Sequence, residues 1–565
     1  RNYSQDISAN YKLPLDKFPM TDWLSADLRY AVGYNWVAGS LNLNDSLGNF
    51  FGNSIQNKSE QTVTGKVDMV RLYNKIEYLK KINTPTRSAS TTRNQSQDAK
   101  PAEKEKSGVN VSTIFLRMLM SIRSVNATYS IRDNTTLSGF IPSASLFGLD
   151  ADFNAPGLPF ILGSQDPEIR FQAAENGWLT ASPFLTAPFI QSTNHDLSFR
   201  AAIEPSQDLK IQLDAKRTNT ADFREIFRFD TDAKDYLSQT PARSGSYSIT
   251  TFTIRTAFEK QENNVSPTYN EFRRNVGIID NRFEQLLAGG ASGGRYDTAS
   301  QDVLIPAFLA AYTGQSASNA SLKPFPVIPL PNWRIDFAGL NKLPFLRDIF
   351  SSINLTHSYR SVYNINNYTN SLRYDDNLSL NNSFLNYPFG NQVDDSLRLV
   401  PVYIINQVTI IEQFAPLIGF NLRTKDNLNL RVDLKKDRNL SLNLANGQVT
   451  EAINNDVSMD IGYTKENLRL PFKVQGRTIT IENAITSRVS MTVRDSHTIQ
   501  RKPNGENIVT NGNRNFQIRP TLGYKLNKSL DVTLYFERSI TNPLVGSFRR
   551  ATTAFGGQIR FNLAQ

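Results

Sequence analysis

The segment LSADLRYAVGYNWVAG, residues 24–39, alternates with period two. Leu24, Ala26, Leu28, Tyr30, Val32, Tyr34, Trp36 and Ala38 share one parity, while Ser25, Asp27, Arg29, Gly33 and Asn35 share the other. Such a run is a strand with one apolar face. What covers that face, protein or lipid, decides the fold. No run in the chain approaches the ~18 consecutive apolar residues of a membrane helix, so a bilayer would be crossed by strands closed into a barrel. A negative mean hydropathy is compatible with this, because only alternate residues of a barrel strand meet lipid.

The last 150 or so residues repeat the pattern most clearly. One parity carries Leu428, Leu430, Val432 and Leu434, then Val457, Met459, Ile461 and Tyr463, then Val489, Met491 and Val493. It continues with Phe516, Ile518, Leu522 and Tyr524, then Leu530, Val532, Leu534 and Phe536, and ends with Ile559, Phe561 and Leu563. Opposite faces carry Arg431, Asp433, Asp460, Arg494, Arg519, Glu537 and Arg560. The fold class that follows is all-β, a transmembrane antiparallel β-barrel. Expected lipid-facing residues include Leu28, Tyr30, Val32, Val432, Leu434, Leu534, Phe536 and Phe561, with Tyr34 and Trp36 as an interfacial aromatic girdle.

Tight polar turns at 424–427 and 526–529 contrast with connections at 495–513 and 539–551 that read as long loops. That asymmetry is typical of outer-membrane barrels, with the tight turns on the periplasmic side and a final strand at 552–563. Further strands are expected at 123–132, 197–204, 209–218, 247–258 and 353–365, the barrel strands filling 353–565. Residues 427–449 read as one long strand, not a hairpin at 435–438. Lys436 and Arg438 interrupt its apolar parity at the headgroup level, and Leu440, Leu442 and Leu444 need a protein cover.

Three insertions interrupt the strands. Residues 67–110 combine a helix at 67–82, with Met69, Tyr73, Ile76 and Leu79 on one face, and a polar tract (83–107) that cannot bury a core. Residues 140–195 are rich in Pro, Gly and Phe without periodicity, and their Phe153, Pro156, Phe160 and Asp166 are expected to constrict or cap a conduit. Residues 259–330 contain a helix at 266–287, opened by Ser266 and Pro267 and presenting Phe272, Val276, Ile279, Phe283 and Leu286.

Chemistry is sparse. Cysteine is absent, which excludes disulfides, thiol catalysis and zinc–thiolate sites. The net charge of +10, from 62 Lys+Arg against 52 Asp+Glu, is spread over strand ends and loops, not gathered into the aromatic-rich basic patch of a nucleic-acid binder. GASGG (290–294) matches the nucleophile-elbow spacing around Ser292, yet it follows a helix where that motif requires a strand. His195, His357 and His497, on a strand start, a strand and a loop, are far apart in sequence. Asp150, Asp152 and Asn154 have calcium-loop spacing but lack its glycine and closing acid, so a capped turn is expected. The reading is a non-enzyme without metal or cofactor. Because the chain opens at Arg1 without a methionine or export signal, it is expected to be a processed product or a fragment.

VLIPAFLAAYTG (303–314) and IPLPNWRIDFAGLNKLPFLRDIFSSINLTHSYRSVYNINNYTNSL (328–372) closely resemble the C-terminal part of the SprA/Sov family, the giant outer-membrane translocon of the type IX secretion system in Bacteroidota. The likeness extends to APGLPFILGSQDPEIR, AAENGWLT, TADFREIFRF and the closing TAFGGQIRFNLAQ. The resemblance implies the C-terminal portion of one very large single-chain barrel that passes folded cargo proteins to the cell surface and serves gliding motility. It further implies the preceding part of the same polypeptide, the PorV shuttle protein, a periplasmic plug protein, secreted cargo and outer-membrane lipid as partners. Another large porin or TonB-dependent transporter uses the same strand pattern, as would, more remotely, a soluble surface β-sandwich adhesin.

Overall fold

The computed structural model describes residues 2–39, 45–83, 116, 119–261, 264–287, 296–372, 393–394, 396–466, 468–474, 477–481, 483–503, 505–526, 530–546 and 548–561. Among them, strands β1 to β9 are Tyr3–Leu13, Leu24–Val37, Asn53–Asp68, Ile122–Phe140, Phe189–Ser206, Leu209–Asp230, Asp235–Thr250, Asn332–Phe337 and Phe350–Asn370. Strands β10 to β19 are Tyr403–Ile405, Gln407–Thr424, Leu428–Asn443, Gln448–Lys465, Leu468–Val474, Arg477–Ile481, Ile485–Arg501, Ile508–Lys525, Leu530–Pro543 and Arg550–Phe561. Seventeen form one sheet, and β14 and β15 make a separate hairpin. The all-β, antiparallel barrel-wall class expected from the alternation is the one observed. No described helix is long and apolar enough to cross a membrane.

Each strand pairs antiparallel with its neighbour from β1 through β6. The next position is shared. β7 lies between the far halves of β6 and β9, while β8 fills the same lane lower down, Leu213 opposite Trp333 and Trp333 opposite Tyr359. The chain therefore leaves the sheet at Thr250, builds a lobe, and re-enters the same lane at Asn332. The series resumes from β9 through β11, β12, β13, β16, β17 and β18 to β19. Among the described residues no backbone pairing joins β1 to β19, so both end strands have an unpaired outer edge.

The register carries one apolar parity unbroken across the sheet. Toward the end with the tight turns this parity is exposed: Leu28, Tyr30, Val63, Phe199, Phe420, Val457, Val493, Leu522, Leu534, Phe536 and Phe561 all show large open surface. A band of exposed apolar side chains running from β2 to β19 is the lipid-facing belt of a transmembrane β-sheet. The other parity is polar and laced with ion pairs, among them Arg494–Asp456 at 2.7 Å, Arg488–Asp460 at 2.9 Å and Arg132–Asp196 at 2.9 Å. We call the belt side the outward face.

Several expectations change at the other end. The stretches 495–513 and 539–551 are mostly strand, with connections of only 502–507 and 544–549. Polar side chains on the outward parity, Asp495, His497 and Arg514, gave these stretches a loop-like composition; they stand above the belt, and His497 sits in a strand opposite Gly512. β7 ends at Thr250, not 258, and β5 already begins at Phe189, inside the 140–195 insertion. The expected helix at 67–82 is two short ones, α1 (Met69–Asn74) and α2 (Glu77–Asn83), because β3 runs on to Asp68, whose side chain caps α1. Tyr73 is buried there, but Ile76 lies exposed at the break. Residues 84–107 and Ser292 lie outside the described residues.

β12 is one continuous strand through 435–438, paired along its length with β13, and no ladder joins 428–434 to 440–444. It ends at Asn443, short of the expected 449, and Leu440 and Leu442 are completely buried.

Candidate functional site

Two lobes cover the outward face above the belt. The first, residues 141–188, contains α3 (Leu158–Ile161) and α4 (Ile169–Glu175). Its Leu149, Phe160, Ile161, Ile169 and Leu179 pack on Tyr34, Trp36, Ile55, Leu137, Phe189 and Phe223 of the wall. Asn57, buried on β3, donates to the carbonyls of Phe160 (2.9 Å) and Ser164 (2.7 Å) and accepts from Gln165 (2.9 Å). The Arg170 guanidinium forms an ion pair with Glu225 of β6, both buried. Asp150 accepts from the N–H groups of Asn154 (2.8 Å) and Ala155 (3.2 Å), a capped turn.

This packing revises the expected roles. Val32 is only 4% exposed and lies under Gly163, not in lipid. Tyr34 and Trp36 are covered too, the indole N–H donating to the Pro142 carbonyl at 3.0 Å. The girdle passes instead through Tyr30, whose hydroxyl donates to the Leu162 carbonyl at 2.7 Å. Phe160 is core, Pro156 is buried beside it, and Phe153 and Asp166 are exposed on the lobe, Asp166 receiving the Glu168 N–H at 2.9 Å. All four belong to the lobe that packs on the outward face of the wall.

Gly163 has φ near +90°, and an added Cβ would meet the Val32 methyls at 3.0 and 3.1 Å. Gly163→Val therefore combines backbone strain of about 1–3 kcal/mol with a clash. The expected result is a first lobe cleaved faster in limited proteolysis, with the membrane strands intact; unchanged cleavage would count against this seating.

Asp45, outside the belt between β2 and β3, ties that connection to the first lobe through the Ser182 hydroxyl (2.6 Å). Burial works against its charge. Hydrogen bonds from Ser182, the Asn49 side chain and the backbone N–H groups of Asn49 and Leu47 outweigh it and hold the carboxyl at about 2. A lowered value means the tie is fully present above the ordinary carboxylate range near 4 and is lost as pH falls through about 2. Amide exchange at Leu47 and Asn49, corrected for intrinsic rates, should accelerate between pH 5 and pH 2. A pH-independent protection factor would refute the tie.

The second lobe, formed by the described residues between 251 and 331, is built on α5 (Pro267–Leu287) and α6 (Gln301–Thr313). The face expected for α5 is buried at Phe272, Ile279 and Phe283, with Val276 partly so, whereas Leu286 is exposed near the helix end. α6 is apolar on all sides because it is enclosed by α5 and by Tyr363, Ile365, Val408, Ile410, Leu440, Leu442 and Val449 of the wall. Ser300, accepting from the Asp302 N–H, caps its start and Gly314, at φ 68°, its end. These signals were legible in the sequence, but the period-two reading passed over them.

Two buried ion pairs fasten this lobe. Glu412 and Arg438, on adjacent strands, approach to 2.9 Å. Thr253 donates to Glu412 (2.7 Å), as does Tyr359 (3.1 Å), while Arg438 donates to the Thr256 carbonyl (2.8 Å) and hydroxyl (2.8 Å). Glu451 and Arg501 repeat the device at 2.5 Å, with Arg501 also donating to the Asn264 carbonyl (2.6 Å) and Gln261 (2.8 Å). His357 Nδ1 donates to the Leu417 carbonyl (2.6 Å), and the three histidines stay on separate strands.

Between the lobes the outward face is open as a groove of about 480 Å³. Its floor is β4 to β7, with Tyr129, Ile131, Asp133, His195, Arg217 and Asn219. Gln165 and Pro167 of the first lobe and Phe325, Pro326 and Val327 of the second form its sides.

No protein-family model and no curated protein matches the chain. Among solved structures it is similar to the siderophore receptor PirA from Acinetobacter baumannii, at 9% identity and a TM-score of 0.27, covering 98% of this chain and 71% of that one. The ferric yersiniabactin uptake receptor FyuA from Yersinia pestis is 6% identical with a TM-score of 0.25, covering 96% and 60%. The ferric enterobactin receptor PfeA from Pseudomonas aeruginosa, as a double mutant, is 6% identical with a TM-score of 0.28, covering 100% and 70%. Similarity at this level assigns neither ligand nor family.

Proposed function

We propose that this chain is part of the wall of an outer-membrane protein-conducting translocon of the type IX secretion kind, the reading that the SprA/Sov-like segments imply. The carrying observation is the pair of unpaired edges. In hydrocarbon an unpaired N–H or C=O costs several kcal/mol, so a seventeen-stranded wall ending at β1 and β19 calls for further strands between them. The preceding part of the same polypeptide supplies those strands in this reading. A conduit wide enough for folded cargo then runs along the polar face. PorV, a periplasmic plug and cargo proteins are the partners the reading brings with it.

The second reading is a self-contained outer-membrane transporter, the class to which the structurally similar receptors belong. It requires β1 and β19 to pair with each other. Reconstitution of residues 1–565 alone separates the two. The translocon reading expects aggregation or degradation and no stable channel; discrete single channels from this chain would favour the self-contained barrel.

A further inference from the structure

We propose that both lobes are anchored in the membrane itself, each lowering one apolar loop into the acyl chains of the leaflet remote from the tight turns. The loops are 158–162 of the first lobe and 327–328 of the second. The proposal rests on the transmembrane wall, which both functional readings share, so the choice between them does not bear on it.

The first lobe descends row by row over β2 and β3. Asn57, opposite Tyr34, holds the Phe160 and Ser164 carbonyls. Gly163 lies one row nearer the membrane, where an added Cβ would meet the Val32 methyls and, at 3.3 Å, the Tyr30 hydroxyl. Tyr30 is a further row down and donates to the Leu162 carbonyl, so the turn at 162–163 is the margin of the lobe closest to the belt. The Leu162 N–H closes a helical turn onto the Leu158 carbonyl at 2.9 Å, which sets both leucines on one side of α3. Phe160 and Ile161 take the buried side.

The second lobe comes down onto the belt in the same way. Tyr247 on β7 donates to the Pro326 carbonyl, and Arg217, one row nearer the membrane, donates to the Val327 carbonyl at 2.7 Å. The Leu330 N–H then reaches the Thr250 carbonyl at 3.0 Å, and the chain enters β8 at Asn332, opposite Asp214. Arg217 is the first charge on the outward parity of β6 above Leu209, Ile211, Leu213 and Ala215. Tyr30 and Arg217 each mark the top of the belt on their strand, the level at which aromatic and basic side chains meet headgroups. Each also pins the backbone of an exposed apolar loop.

Exposure and charge identify what covers these loops. Leu158 is 56% exposed, Leu162 49% and Ile328 76%, against 39% and 41% for Leu28 and Tyr30 of the belt. Neither 155–165 nor 324–333 holds a charged side chain. Prolines at 159, 326, 329 and 331 remove backbone N–H groups that lipid could not satisfy, and the Leu162 and Val327 carbonyls are satisfied from the wall. Uncharged apolar loops that continue a lipid-facing belt suit the boundary between headgroups and acyl chains, where interfacial anchors bury ~5–10 Å deep.

The test uses the full protein purified from its own membrane, carrying one introduced cysteine with a nitroxide label and reconstituted into dioleoyl-phosphatidylcholine vesicles; the chain has no other cysteine. Power saturation compares collisions with oxygen, which concentrates among acyl chains, and with the nickel complex Ni-EDDA, which stays in water. Leu158→Cys, Leu162→Cys and Ile328→Cys should favour oxygen as Leu534→Cys in the belt does. Asn446→Cys, in the exposed turn between β12 and β13 at the far end of the wall, should collide with nickel at least fivefold more often than any of them. Adding Leu162→Asp should raise nickel collisions at Leu158→Cys at least threefold and leave those at Leu534→Cys unchanged. Nickel collisions at Leu162→Cys or Ile328→Cys that match Asn446→Cys would overturn the proposal. Low collision with both reagents at those sites would overturn it too, since protein would then cover the loops. Should the Leu162→Asp variant fail to assemble, the labels at Leu162→Cys and Ile328→Cys decide the matter.

Discussion

Arg438→Met is expected to release the second lobe from the wall while the strands remain in the membrane. The substitution leaves Glu412 buried without its cation, and it removes the donors that hold the Thr256 carbonyl and hydroxyl. Breaking a buried pair from one side costs about 3–5 kcal/mol. Most of that falls on the lobe, because Glu412 and Arg438 are covered by residues 253–256 and by α6, not by the belt. Trypsin should then cut at Arg255 and Lys260 at least tenfold faster than in wild type, with the wall fragments still resistant. The companion variant Glu412→Leu with Arg438→Met removes both charges and should restore most of the resistance, since an apolar replacement of a buried pair is often neutral or stabilising. A single variant as resistant as wild type would mean that the pair does not fasten the lobe.

The second large effect separates the two halves of β12. Val432→Arg places a cation in the lipid belt, at a cost of about 2–4 kcal/mol near the midplane, and should lower the amount of assembled protein recovered from membranes severalfold. Leu442→Asp, ten residues along on the same parity, buries a carboxylate against α6. Membrane recovery should hold in that case, and the lobe should become protease-sensitive. The opposite pattern, with Leu442→Asp blocking assembly and Val432→Arg tolerated, would invert the assignment of belt and covered half.

That contrast also shows what the sequence could convey. Period two identifies a strand and its apolar parity, and for β2, β12, β13 and β16 to β19 that parity is the outward face. It does not say what lies on the face. Leu28 and Val32 have the same parity and are both aliphatic, yet Leu28 is exposed on the belt and Val32 lies beneath the first lobe. Only the cations Lys436 and Arg438 on β12 marked the change of cover, and there the sequence correctly called for protein over Leu440 and Leu442. On β2 no charge interrupts the parity, so the sequence alone reads Val32 as lipid-facing and Tyr34 and Trp36 as an interfacial girdle. Above the belt, Asp495, His497 and Arg514 satisfied the composition of a loop while the backbone stayed in the ladder. The buried anchors Glu412, Glu451 and Arg501 carried a related signal, charges on an apolar parity, which gains meaning only once 251–331 is seen to return over them.

The openness of the wall is the central claim, and disulfide trapping in the native membrane tests it most directly, since the chain has no cysteine of its own. Ser8→Cys with Ala31→Cys joins residues that are directly opposite on β1 and β2 and should cross-link readily. Ser8→Cys combined in turn with Thr552→Cys, Ala554→Cys or Gln558→Cys, all on the same polar parity of β19, should give no bond within the chain, because other strands lie between the two edges. A rapid disulfide between Ser8→Cys and any of the three would show β1 paired with β19 and contradict the open wall.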